Sequence, residues 1–200
     1  MNGKLLLAGI GGQGVLFAHQ LLARCAAEQG YDVTGAETHG MSQRGGAVVS
    51  HVKIRSPSSP QPAPSGQLGD APLIRQGTAD FLIAFAETEA LRALPFLRRG
   101  GTLVVNTASP RFLDDMTRAG LDEHVTVRAL DAMAIAERLG RRSVANVVLL
   151  GFASTCRAFP LTGDALRAAL QGHGSKSWQS NLQAFDEGVR AGSDPHEPSH

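Results

Sequence analysis

Short apolar runs punctuate the chain at Lys4–Ala8, Tyr31–Ala36, Ala47–Ile54, Phe81–Phe85, Thr102–Asn106 and Val125–Leu130. Their length and composition predict strands. Between them the period changes to that of a helix. Val15, Ala18, Leu22 and Cys25 share one face of a helix predicted over Gly14–Gln29, Leu21 sits beside them, and Gly30 closes it. Further helices are predicted over Thr88–Leu97, striped by Leu91, Leu94 and Leu97, and over Ala132–Leu139, ended by Gly140. Val144–Phe159 is apolar nearly all round, hence a buried helix. Thr162–Gln171 follows with Thr162 as its N-cap, then Ser177–Ala191 with Trp178, Leu182, Phe185 and Val189. Strands alternating with helices imply an α/β fold, a three-layer Rossmann-like sandwich with a mostly parallel sheet and a C-terminal helical segment. The Ala47–Ile54 strand follows its predecessor with no long helix between, so it is expected to run antiparallel.

Two hundred residues, 42% of them hydrophobic, suffice for one well-filled domain, placed at 1–190. Four prolines and four serines make 56–67 a flexible surface loop, and 191–200 reads as a disordered tail. With 19 basic against 18 acidic residues, the chain lacks the positive field that nucleic-acid binding requires. No apolar run approaches the roughly 20 residues of a membrane span. The first strand begins almost at the N-terminus, leaving no signal peptide, so a cytoplasmic location is expected. Cys25 and Cys156, both in predicted helices among Ala and Leu, read as buried thiols in a reducing compartment. They are too few for an iron–sulfur cluster, and no metal site is expected.

Chemistry concentrates in two glycine-rich bends. Gly9, Gly11 and Gly14, with Gly12 and Gln13 between them, have the G-x-G-x-x-G spacing of a dinucleotide-binding turn, with a strand before and a helix after. Bare glycines let a phosphate or another backbone approach amides that have no partner within the helix. Tight strand–helix packing explains the same glycines, and both readings stay open. Glu37 sits near the place of the acid that holds ribose hydroxyls in NAD-binding folds, yet no acid/base pair suited to hydride transfer follows. The second bend displays Glu37, His39, Ser42, Gln43 and Arg44 among Gly40, Gly45 and Gly46. If the end of the second strand lies beside the end of the first, both bends meet at the carboxyl edge of the sheet. There Arg44 could hold a phosphate or carboxylate through two parallel hydrogen bonds, and His39 could donate, accept or shuttle a proton.

Gly9-Ile-Gly-Gly-Gln-Gly-Val-Leu16 followed by Glu37-Thr-His-Gly-Met-Ser-Gln-Arg-Gly-Gly-Ala-Val48 resembles the gamma-type subunit of the 2-oxoacid:ferredoxin oxidoreductases. The His39-Gly-Met-Ser-Gln-Arg-Gly-Gly46 version is similar to the beta subunits of the indolepyruvate branch. Val104-Val-Asn-Thr107, Val144-Ala-Asn-Val-Val-Leu-Leu-Gly151 and Asn181-Leu-Gln-Ala-Phe-Asp-Glu-Gly188 extend the likeness, which covers about residues 3–190. The resemblance implies a complex that converts a 2-oxoacid and coenzyme A into acyl-CoA, carbon dioxide and reduced ferredoxin. It implies that thiamine diphosphate and the iron–sulfur clusters lie on a larger thiamine- and ferredoxin-domain partner. This chain would bind no cofactor alone, would be inactive alone, and would reach ferredoxin only through the complex. Gly69-Asp70-Ala71 is not the Gly-Asp-Gly opening of a thiamine motif. By the same resemblance, the two bends pack against the partner or help enclose coenzyme A. The proline-rich loop and His173-Gly-Ser-Lys-Ser177 depart from the family pattern.

Overall fold

A computed structural model describes residues 2–39, 45–57, 71–109, 112, 124–172 and 178–193. The strands are β1 (Asn2–Ile10), β2 (Asp32–His39), β3 (Ala47–Arg55), β4 (Ala79–Ala84), β5 (Leu97–Asn106) and β6 (Val125–Leu130). The helices are α1 (Val15–Glu28), α2 (Glu87–Ala93), α3 (Ala132–Arg138), α4 (Ala145–Ser154), α5 (Gly163–Gln171) and α6 (Trp178–Ser193). The strands form one sheet in the order β2-β3-β1-β4-β5-β6. β1, β4, β5 and β6 pair in parallel, and β3 runs antiparallel to both of its neighbours. The expected antiparallel strand is thus present. One expectation fails: the end of β2 does not lie beside the end of β1, because β3 is inserted between them. The short connection 40–46 permits only a hairpin, so β3 takes the place that a helical crossover would have given to β2.

Leu5, Leu7, Phe81, Ile83 and Val104 point to one face, where they are covered by α1, α4, α5 and α6. Leu6, Ala8, Leu82, Ala84, Leu103 and Val105 point to the other, which carries α2. Both faces of the central strands are buried, as their uninterrupted apolar runs require. Helix ends differ from the sequence reading for local reasons. Pro95 has no N–H to donate, and the predicted 88–97 helix tightens into a 3-10 turn at Leu94–Phe96. The predicted 144–159 helix stops at Ser154. The Ser154 and Thr155 hydroxyls donate to the carbonyls of Gly151 and Phe152, each at 2.7 Å, and Pro160 follows. Cys156 is therefore outside a helix, though buried as expected, and burial pushes the Cys25 thiol up to about 11. α6 continues through Ser193, into the segment read as tail. Residues 194–200, and the 56–67 loop beyond Pro57, lie outside the described residues.

Two contacts fix the layers. Gly151 of α4 and Gly188 of α6 lie backbone against backbone: a methyl group on Gly151 would fall inside contact distance of Phe185 O, and one on Gly188 inside that of Val148 O. The two helices run in the same direction, since Arg141 Nη1 donates to Ser180 Oγ at 2.8 Å at one end and Gly192 meets Thr155 at the other. On the opposite face of the sheet, His51 of β3 is buried against Phe96, with ring centroids 6.0 Å apart, and its Nδ1 accepts from Ile74 N at 3.1 Å. That bond holds the 71–77 segment on β3 and requires a neutral ring. Burial, with Lys53 second, lowers the His51 pKa below 6.5.

Gly188→Ala is expected to lose about 3 kcal/mol in denaturant unfolding, the upper end for overpacking against rigid backbone. Gly30→Ala, where φ is +77° and nothing lies within 4 Å of the added methyl, loses only about 1 kcal/mol of backbone strain. For His51, the unfolded chain takes up its proton first as pH falls. Its contribution to stability is therefore whole above pH 6.5 and declines below it, by at most about 1.4 kcal/mol per pH unit, until the folded-state pKa is passed. His51→Asn keeps an acceptor but cannot titrate, so its unfolding free energy should fall less steeply between pH 7 and 5.

Candidate functional site

β1 delivers the first bend to the carboxyl edge of the sheet. Gly9 proves to be a packing glycine: a methyl there would lie 2.7 Å from Val15 Cγ2 and 3.2 Å from Phe85 Cβ. Gly11 and Gly12 are exposed, and nothing lies within 4 Å of the space beside Gly12, whose φ is +97°. Gln13 closes the bend on itself. Its backbone N–H donates to Ile10 O at 3.0 Å, and its side-chain Oε1 accepts from Ile10 N at 2.8 Å. Gly14, at φ +80°, caps α1 without any side-chain hydrogen bond, and the first turn of α1 carries no acid. The N–H groups of Gly12, Gly14, Val15 and Leu16 have no hydrogen-bond partner among the described residues. Together they present donors and a positive helix end to whatever enters.

The second bend joins the first through β3. Ala47 opens β3 opposite Ile10, the last residue of β1, and Gly11 N donates to Gly46 O at 2.9 Å. Gly45 takes φ +75° just before this bond. The two bends therefore do meet at the carboxyl edge, through the start of β3 rather than the end of β2. Ser42, Gln43 and Arg44, with Gly40 and Met41, lie outside the described residues. The backbone of His39 pairs opposite Val48 as the last residue of β2.

Glu37 lies within β2, one strand removed from the first bend and opposite Ser50. His19 of α1 reaches down to this pair, its Nδ1 2.5 Å from Ser50 Oγ and 3.9 Å from Glu37 Oε1. The imidazole packs against Gly35, where a methyl would lie 2.5 Å from His19 Cε1. Glu37 thus faces α1 and helps brace it, and the strand that separates it from the bend removes the geometric basis for a ribose ligand.

One site residue escaped the sequence reading. Asn146, in the first turn of α4, occupies the space into which a Gly14 side chain would project, and its Nδ2 donates to Gly14 O at 3.4 Å. It is 7% exposed, and its Oδ1 is buried with no hydrogen-bond partner among the described residues. The available signal was a lone carboxamide in an otherwise apolar helix. Among the described residues, no group of three or more His, Cys, Asp or Glu side chains is placed to hold a metal ion, and both cysteines are singly buried. No described helix is long and apolar enough to cross a membrane. Unpaired amides at a helix start have the chemistry to donate to an anionic group or to another backbone's carbonyls.

A profile of the family described as pyruvate ferredoxin/flavodoxin oxidoreductase matches residues 4–191, and the chain belongs to that family. Within it, the chain is a small subunit of the 2-oxoacid:ferredoxin oxidoreductase type. It is 30% identical to the indolepyruvate oxidoreductase subunit IorB of Thermococcus kodakarensis, over 94% of this chain and 95% of that one. It is 34% identical to the IorB subunit of Archaeoglobus fulgidus, over 94% of each. The fold matches 2-oxoglutarate:ferredoxin oxidoreductase from Magnetococcus marinus, solved with 2-oxoglutarate, coenzyme A and succinyl-CoA bound. The TM-score is 0.73 at 20% identity, and the match covers 100% of this chain and 32% of that one. It also matches a keto/oxoacid ferredoxin oxidoreductase gamma subunit from Geobacter sulfurreducens, with TM-score 0.68 at 22% identity, over 95% of this chain and 98% of that one.

Proposed function

We propose that this chain is the companion subunit of an enzyme that oxidises indolepyruvate or another aryl-pyruvate with coenzyme A, giving acyl-CoA, carbon dioxide and reduced ferredoxin. The substrate reading rests on the likeness to IorB subunits along nearly the whole chain. Thiamine diphosphate and the iron–sulfur clusters belong to a larger partner subunit and would supply the carbanion and electron-transfer chemistry there. The observation that carries this chain's role is the pair of joined glycine bends, one of them with four backbone donors unclaimed by the described residues.

In this reading the bends seat against the partner and help enclose coenzyme A. Phosphate oxygens would take the amides of Gly12 and Gly14 and the helix end behind them, where an anion is favoured. Arg44, on the second bend, adds a charged bidentate donor, with Ser42, Gln43 and His39 as neighbouring polar groups. Because Gly11 N is already bound to Gly46 O, its part is to set the spacing of the two bends rather than to bind ligand.

The test is co-purification with the larger subunit, followed by turnover with indolepyruvate, coenzyme A and ferredoxin, compared with pyruvate and 2-oxoglutarate as substrates. Indolepyruvate should give the highest kcat/KM; equal or better turnover of pyruvate would remove the aryl-pyruvate assignment. Arg44→Ala should leave assembly intact and lower turnover at least ten-fold. Normal turnover by the fully assembled variant would refute the role given to Arg44.

A further inference from the structure

We infer that Asn146 is a positioning residue for the first bend, holding Gly14 so that the free amides at the start of α1 can seat a phosphoryl group. The inference rests on the reading of the bends given above and adds to it a residue from α4, a distant part of the chain.

Asn146 reaches Gly14 from across the helical layer, its Nδ2 donating to the Gly14 carbonyl at 3.4 Å. That carbonyl also accepts from Ala18 N at 3.0 Å, so Asn146 grips the residue at which the bend becomes helix. Gly14 stands in the left-handed region, and the carboxamide fills the volume beside its Cα. The bend therefore cannot slide toward α4 without meeting that side chain. Fixing Gly14 fixes the aim of the amides on either side of it.

The second observation is the unpaired Oδ1. A buried acceptor without a donor is destabilising, and Asn146 stands in an apolar stretch: its chain neighbours Val144, Val147 and Val148, and Val15 next to Gly14, are all buried. Leucine has the same branched shape, though it is larger, and would bury no such atom. A polar group kept where an apolar one would stabilise the fold is the mark of a site that serves something other than stability. The electrostatics agree. Neither α1 nor α4 has an acid in its first turn or a side-chain cap; exposed Arg141 and Arg142 stand in the turn that leads into α4, Arg142 paired with Glu137 at 3.3 Å and Arg141 donating to Ser180.

Asn146→Leu and Asn146→Asp separate the possibilities. In the full chain, inorganic pyrophosphate should shift the amide NMR signals of Gly12, Gly14, Val15 and Leu16. Asn146→Leu should melt at or above the wild-type temperature while its pyrophosphate Kd rises at least five-fold. Asn146→Asp keeps the shape but sets a carboxylate beside the anion, and should weaken binding further. In the assembled complex both variants should raise KM for coenzyme A at least five-fold with kcat within two-fold. Unchanged pyrophosphate affinity in the folded variants overturns the inference, as does a wild-type chain whose amides ignore pyrophosphate. If Arg44→Ala raises KM for coenzyme A while the Asn146 variants change neither that KM nor the pyrophosphate affinity, the coenzyme A reading stands and this inference falls. If pyrophosphate binding depends on Asn146 but KM for coenzyme A does not, Asn146 keeps its role and the bend serves a different phosphoryl ligand.

Discussion

The hydrogen bond from Gly11 N to Gly46 O ties the carboxyl edge of this sheet together, and the reversal of β3 is what makes it possible. In a sheet wound only through helical crossovers, the second strand would lie beside the first and the loop after it would leave toward a helix. Here the chain turns back after His39, and β3 enters the sheet from the carboxyl edge with Ala47 opposite Ile10. The end of one bend is thereby pinned to the beginning of the other. Backbone atoms alone make the link, so it depends on register and glycine rather than on any functional side chain.

Behind this edge the helical layer acts as a backstop. Gly151 and Gly188 let α4 and α6 touch through their backbones, and Arg128 binds the far ends of both, its guanidinium 4.5 Å from the centre of the Phe152 ring and hydrogen-bonded to Gly192 O. α4 is also buried against the sheet, so its first turn, which carries Asn146, is held rigidly against α1. Precision at the bend is in this sense borrowed from packing far from it.

Legibility in the sequence followed the range of the forces involved. The strand–bend–helix unit at the N-terminus, the antiparallel sense of β3 and Thr162 as the cap of α5 rest on neighbours in sequence, and each is present in the structure. Pro95 and the hydroxyls of Ser154 and Thr155 are local signals too, but helical periodicity masked them. The insertion of β3 between β1 and β2 requires knowing which strands pair. The roles of Gly151, Gly188 and Asn146 depend on partners 34 to 132 residues away (Gly151 against Phe185, Asn146 against Gly14), and no spacing rule reaches that far. Glu37 sits where periodicity put it, but His19 and Ser50 give it structural work that the pattern of acids did not reveal.

The shared bond between the bends has a thermodynamic consequence. A molecule that draws Gly46 away from β1 also releases the Gly11 amide, and one that locks Gly11 in place makes Gly46 harder to move. Occupancy at one bend and displacement at the other are then linked functions, and the coupling acts with equal strength in both directions. Any ligand seated at one bend would by this means be felt by whatever contacts the other.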